Sequence, residues 1–268
     1  MKILLHTIAL EPARWLPQRV TRPLVELLPH IAKAGFRELE VFEPHLTADV
    51  ESQEIRGALE QYELLPVILS SYLNLNPAAT SDAELEEKLG ELAGRVAFYG
   101  FKKVRLFPGS KMDPADREGV EIFQDRVRRV AARMADGEVL LETHDGSLAD
   151  DPAIMVRIVQ NLALPNVGLL FQPTNFLSRE SILAQFRLQR PFIRHLHLQS
   201  RMADLSMARL GEGLVPWPEI FSGLSGSVDA TLEFVPAGIC PPESFDLSAT
   251  IQQAAAEAAH VRTLIKSA

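Results

Sequence analysis

The chain has 268 residues, enough for two small domains or for one barrel-sized domain with a well-buried core. A composition of 47% hydrophobic and 23% charged residues is that of an ordinary soluble globular protein and selects no function by itself. The formal net charge of -8, with a pI near 5.4, argues against binding to nucleic acid, which needs a basic face to displace counterions, but leaves small phosphorylated substrates open.

Charges break the longest apolar runs well short of membrane-spanning length, and Met1-Lys2-Ile3-Leu4-Leu5-His6 enters directly into a strand-like run. Neither a signal peptide nor a transmembrane segment is expected. The single Cys240 rules out an intramolecular disulfide and fits a reducing compartment, so a cytoplasmic location is expected.

Taken in order, Lys2 to His6 is a first strand with a polar end, followed by an irregular stretch containing Pro12, Trp15 and Pro17. Thr21 is a candidate cap for a helix with apolar positions Leu24, Leu27, Leu28 and Ile31, closed by Gly35. Arg37 to Phe42 is the second strand, carrying Glu40, and Glu51 to Tyr62 the second helix. Leu64 to Tyr72 is the third strand. Ser81-Asp82-Ala83-Glu84 has a capping-box pattern and opens a helix that Gly100 stops. The fourth strand, Lys102 to Phe107, precedes a helix from about Pro114 to Ala135. The fifth strand carries Glu142 and leads to a helix near Pro152 to Asn161. The sixth, Val167 to Phe171, ends in Gln172-Pro173-Thr174-Asn175, and Ser178 to Leu188 is helical. Ile193 to Gln199 is the seventh strand. A long loop then reaches Gly211-Glu212-Gly213, and a helix follows near Trp217 to Leu224. Asp229 to Val235 is the eighth strand, carrying Glu233, and an Ala-rich helix from about Ser244 to Ile265 follows.

Eight strand-helix alternations without a composition break have the rhythm of parallel crossover units. Their number and total length predict an α/β fold of the (β/α)8 TIM barrel type, a single domain over residues 1–268, with a doubly wound sheet as the alternative. His6, Glu40, Arg105, Glu142, Gln172, His197 and Glu233 all fall at or near the carboxyl ends of predicted strands, where barrel enzymes place their chemistry. In the fifth strand, alternation puts Leu140, Glu142 and His144 on one side. A carboxylate on the inner side of a buried strand must be paired, protonated or metal-bound.

The segments Gly35-Phe36-Arg37-Glu38-Leu39-Glu40, Val104 to Gly109, Leu141 to Gly146, His195-Leu196-His197-Leu198, Gly211 to Trp217 and Leu232-Glu233 together resemble the xylose-isomerase-like barrel superfamily of sugar isomerases and epimerases. The resemblance runs through nearly the whole chain. It implies a divalent metal, Mn2+, Mg2+ or Zn2+, held by strands five to eight, and the matching positions are Glu142, Gln172, His197 and Glu233. Gln172 departs from the pattern, standing where the family has an Asp. Its amide oxygen ligates without charge, so affinity for a hard cation should fall. Asn175 and Ser200 likewise replace the His and the acid found in some relatives.

The resemblance further implies a sugar or sugar-derivative isomerase or epimerase acting through an enediolate, with Glu142 and Glu233 as the catalytic base and acid. Arg105, His144, Glu40 and Trp15 are candidate substrate contacts. Each has a structural alternative: an ion pair with Glu40 or Glu142 for Arg105, a capping bond for His144, partnership with Arg105 for Glu40, and loop packing for Trp15 and Trp217. His6 and His195 read as core histidines. Gly211-Glu212-Gly213 reads as a conformationally demanding loop rather than an anion site. A dehydratase or lyase on the same scaffold and a non-catalytic sugar-binding barrel are the competing functions. An apurinic-site endonuclease is disfavoured by the acidic charge and by the presence of only seven histidines. The Ala-rich last helix suits either its own barrel or a neighbour in a homo-oligomer.

Overall fold

The computed structural model describes residues 1–14, 20–46, 51–108, 112–224, 226 and 228–267. The strands are β1 (Ile3–His6), β2 (Glu38–Phe42), β3 (Leu65–Ser71), β4 (Lys103–Leu106), β5 (Glu138–Glu142), β6 (Val167–Phe171), β7 (Ile193–Leu198), the two-residue β8 (Ser200–Arg201) and β9 (Met207–Ala208), and β10 (Asp229–Leu232). The α-helices are α1 (Leu24–Lys33), α2 (Ser52–Gln61), α3 (Asp82–Tyr99), α4 (Arg117–Arg133), α5 (Pro152–Leu162), α6 (Arg179–Gln189), α7 (Trp217–Gly223) and α8 (Leu247–Ser267). The long strands follow the order β1-β10-β7-β6-β5-β4-β3-β2 and close into a barrel, while β8 and β9 form a separate antiparallel hairpin. The (β/α)8 architecture is therefore the one expected, and the hairpin is an addition. None of the described helices is long and apolar enough to cross a membrane.

Local chemistry sets the element boundaries. Ser81 Oγ accepts the Glu84 N–H at 3.3 Å, and Gly100 ends α3 at φ +75°, a left-handed conformation that costs a residue with a side chain far more than glycine. The helix expected from Pro114 begins instead at Arg117, because Asp116 is the residue whose carboxylate accepts the Gly119 N–H, at 3.0 Å. Thr21 does not cap α1. Pro23 occupies that position without a side-chain bond, and the Thr21 N–H donates to Glu11 Oε2 at 2.7 Å. The four apolar positions predicted for this helix are all buried.

Contacts divide the chain into two compact units: residues 1–67, 176–183 and 196–268, and residues 68–175 and 184–195. In the first, Leu5 pairs with both Leu39 and Leu232, and one residue further His6 lies beside Glu40, so the apolar layer gives way to polar side chains at the strand ends. Arg14, only 8% exposed, ties the segment after β1 to the segment after β10 by donating to the carbonyls of Ile8, Ala9 and Gly238 at 2.8–3.1 Å. Burial lowers its pKa to about 10, against the raising influence of Glu11, Cys240 and Glu233. Trp217 is fully buried and stacks on Phe221 at 5.6 Å, which makes it a core residue. A Cβ on Gly213 would lie 2.2 Å from Ser200 Oγ, and one on Gly211 2.8 Å from His260 Nε2. Neither glycine has a positive φ; close packing requires Gly213, where the Arg201 carbonyl and Ala208 Cβ also lie within 2.9 Å, whereas at Gly211 the exposed His260 ring could move aside. In α8, Ala254 and Ala258 pack inward, whereas Ala256 and Ala259 are exposed.

In the second unit the register Ser70, Arg105, Leu140 runs across β3, β4 and β5. At the opposite strand ends Glu138 accepts bonds from Lys103 at 2.8 Å and Arg194 at 2.9 Å. Burial raises the Glu138 pKa, but these two cations outweigh it and the net shift is downward. Gly168 gives the Arg194 stem room to reach Glu138, since a Cβ there would lie 2.4 Å from Arg194 Cγ.

Candidate active site

Within the first unit, β1, β2, β7 and β10 bring four ionisable side chains into one row. His6 ends β1 and Glu40 lies in β2, His197 is the penultimate residue of β7, and Glu233 follows β10 directly. Their exposures are 1%, 0%, 0% and 4%. His197 Nε2 is 3.0 and 3.1 Å from the two oxygens of Glu40. On the other side of the ring, His197 Nδ1 is 3.5 Å from Glu233 Oε1. Gln199 Nε2 donates to Glu233 Oε2 at 2.9 Å. His6 Nδ1 accepts the Ile8 N–H at 3.1 Å, and its Nε2 is 3.5 Å from Glu40 Oε1.

This row fits a divalent cation. A buried carboxylate needs a positive partner or several hydrogen-bond donors. A hydrogen on His197 Nε2, directed at Glu40, would leave Nδ1 presenting a lone pair toward a carboxylate oxygen. At 3.5 Å both atoms can reach one cation at bond lengths of about 2.1 Å. His6, Glu40 and His197 also bring potential ligand atoms within 4.8 Å of one another.

A second buried acid, Glu11, lies in the segment after β1. Glu11 is fully buried, accepts from the Ala13 and Thr21 N–H groups at 2.9 and 2.7 Å, and faces His45 Nε2 at 3.8 Å. Burial raises its pKa, but the nearby His45 imidazole and the bonds from the Thr21 and Ala13 N–H groups prevail and the net shift is downward.

The second unit holds the remaining predicted residues. Glu142, fully buried at the end of β5, forms an ion pair with Arg105 of β4. The Arg105 guanidinium lies 5.4 Å from the Tyr72 ring centre and 5.5 Å from that of Phe107. Of the two acids proposed as its structural partner, the structure therefore pairs Arg105 with Glu142. Gln172 is 5% exposed and follows β6. The Thr143 hydroxyl holds it twice, donating to the Gln172 carbonyl at 2.7 Å and accepting its N–H at 3.0 Å. His144 lies beyond the end of β5, where its Nδ1 donates to the Asp145 carbonyl at 2.7 Å and its ring meets Phe107 edge-on at 4.7 Å. Asp145 Oδ1 accepts the Asn175 N–H at 2.8 Å. Trp15, the other candidate contact, lies outside the described residues.

Glu11, Arg14, His45, Thr143 and Gln199 were not among the expected site residues. For Gln199 a signal existed: the alternation that turns His195 and His197 inward continues to it. The other four are loop or outward-parity residues, and each has at least one partner far away in sequence: His45 for Glu11, Gly238 for Arg14, Thr7 for His45 and Gln172 for Thr143.

The profile of a family described as xylose isomerase-like TIM barrel matches residues 28–232. No curated protein matches the sequence. Among solved structures, the probable 3-DHS dehydratase AsbF from Bacillus anthracis is 22% identical, with 94% of this chain and 98% of that chain covered and a TM-score of 0.70. The IOLI protein with a binding zinc atom is 15% identical over 100% and 99% of the two chains, with a TM-score of 0.71. An L-ribulose 3-epimerase is 17% identical over 100% and 95%, with a TM-score of 0.72. At these identities the likeness is one of fold.

Proposed function

Since the chain belongs to the xylose isomerase-like TIM barrel family, we propose that it is an enzyme, a single catalytic domain over residues 1–268, that moves a carbon-bound proton next to the carbonyl of a sugar or sugar derivative. The observation that carries this reading is His197 with a carboxylate on each ring nitrogen, Glu40 at 3.0 Å and Glu233 at 3.5 Å, in a fully buried row at the strand ends. It gains support from the zinc atom of the IOLI protein and from the presence of an L-ribulose 3-epimerase among the structural neighbours.

In this reading Glu142, Gln172, His197 and Glu233 would hold a divalent cation. Bound there, the cation supplies Lewis-acid stabilisation of the negative charge that develops on the substrate oxygens. Glu142 removes the proton from carbon, and the electron pair of that C–H bond passes into the enediolate. Glu233, protonated at the outset, gives its proton to the opposite face of the same carbon in an epimerisation, or to the neighbouring carbon in an isomerisation, where the hydroxyl proton also passes from one substrate oxygen to the other. Gln199 keeps Glu233 Oε2 occupied, which fixes the orientation of the other oxygen. Arg105, bracketed by Tyr72 and Phe107, is suited to a carboxylate or phosphate of the substrate, and His144 to one of its hydroxyls. Gln172 makes cation binding weaker than four charged or imidazole ligands would.

A dehydratase is the second reading, favoured by the neighbour described as a probable 3-DHS dehydratase. It begins with the same proton abstraction and then expels water. Incubation with a panel of sugars and sugar acids in deuterated water with Mn2+ tests both. Deuterium incorporated at carbon and abolished by Glu142→Gln supports proton transfer, and loss of water from the substrate selects the dehydratase. Ligand binding without exchange from any member of the panel would instead leave a non-catalytic binding barrel.

A further inference from the structure

We propose that Glu40 is a positioning residue that fixes the hydrogen of His197 on Nε2 and thereby turns Nδ1, as the cation-binding nitrogen, toward Glu233; the cation part of this inference rests on the metal reading above. A substrate contact is the role the sequence suggests for Glu40, but its surroundings describe something else. The carboxylate is 0% exposed and takes His197 Nε2 almost symmetrically, at 3.1 and 3.0 Å to its two oxygens. That spacing suits an N–H directed between both lone-pair sets, and a proton shifted to Nδ1 would leave three acceptor atoms facing one another.

His6 braces the far side. Its Nδ1 accepts a backbone N–H, from Ile8, so this nitrogen carries a lone pair and the ring is neutral. The ring hydrogen is then on Nε2, which faces Glu40 Oε1 at 3.5 Å. Both imidazoles thus turn N–H groups toward Glu40, and two donors are what a fully buried carboxylate requires. The His6 and His197 rings are 5.8 Å apart and inclined at 58°, so they approach Glu40 from different directions. At the other end Gln199 holds Glu233 Oε2. The array runs His6, Glu40, His197, Glu233, Gln199, and with the His197 hydrogen on Nε2 it is Nδ1 that faces Glu233 Oε1, at 3.5 Å. A hydrogen-bonded carboxylate on the remote nitrogen raises the basicity of a ligating imidazole and fixes its tautomer, and loss of such a partner weakens metal binding by about 10–100-fold.

Nitrogen-15 NMR of the imidazoles tests the tautomer, with His197 assigned by the signals lost in His197→Asn. The expected result is a hydrogen on Nε2 in both the metal-free and the Zn2+-loaded protein, with Zn2+ perturbing Nδ1. A hydrogen on Nδ1 with Nε2 bare, or Zn2+ at Nε2, overturns the proposal. Competition with a chelating dye then measures Zn2+ affinity in Glu40→Leu and Glu40→Gln. We expect a loss of about tenfold or more in the first and a smaller one in the second, whose amide oxygen still accepts the bond. Affinity within twofold of wild type in both variants overturns it. If the wild type binds no Zn2+, the metal reading fails, while the metal-free Nε2 hydrogen still decides whether Glu40 orients His197.

Discussion

Arg105 and Glu142 form a buried ion pair at the carboxyl ends of adjacent strands, with side-chain exposures of 4% and 0%. Attraction between two such charges counters their desolvation, and removing one partner takes the ion-pair contact from the other while it stays buried. Arg105→Met should therefore cost about 3–5 kcal/mol of stability in urea denaturation. Arg105→Met/Glu142→Leu should cost less than the sum of the single changes, because the contact between the two is lost only once. Additive losses would show that the two side chains do not depend on each other.

Thr143 governs where Gln172 lies. Its hydroxyl both donates to the Gln172 carbonyl and accepts the Gln172 N–H. Thr143→Val keeps the shape and removes both bonds, leaving a buried N–H without its acceptor, for an expected loss of about 1–3 kcal/mol. Thr143→Ser should retain most of the stability. Equal denaturation midpoints for the Val and Ser variants would refute the hydroxyl's role.

Gly168 is a packing requirement rather than a hinge. A methyl group there meets Arg194 Cγ, Cδ and Nε at 2.4, 2.7 and 2.8 Å, so the side chain must shift from the position in which it meets Glu138. Gly168→Ala should cost about 1–3 kcal/mol, and most of that loss should vanish in an Arg194→Ala background. Thermal unfolding of the four proteins in the cycle checks this, and an unchanged cost in that background would contradict it.

Glu11 makes stability sensitive to acid. Its pKa is below the ordinary value in the folded protein, so the unfolded chain binds more protons on acidification. The stabilisation is present above about pH 4.3, the ordinary Glu value, and is lost as pH falls through the folded pKa. Glu138 titrates in the same direction. Comparing urea midpoints across pH 3 to 6, conditions of roughly the range where carboxylates titrate, isolates Glu11: the slope in Glu11→Gln should be shallower than in wild type. Parallel slopes would count against it.

The alternation of apolar and polar residues made the strands legible, together with the glycines and caps between them, because each of those signals is local. Polar residues at successive strand ends also made the His197 and Glu233 positions legible. What remained hidden was partnership across the chain. Arg14 meets the Gly238 carbonyl 224 positions away, and Thr21 looks like a helix cap until Glu11 takes its N–H. The β8 and β9 pair spans two residues per strand, too short for a period of two to register. Gly213 was visible as a glycine, but Ser200, Arg201 and Ala208, whose closeness requires it, were not.

A cation bound through Gln172 and His197 with Glu142 and Glu233 underlies the proposed chemistry. Calorimetric titration of metal-stripped protein with Mn2+, in the wild type and in Gln172→Asp, tests this directly. Saturable binding by the wild type that becomes tighter when Asp restores the charged ligand is the predicted result. No binding by the wild type, or binding that Gln172→Asp leaves unchanged, would contradict it.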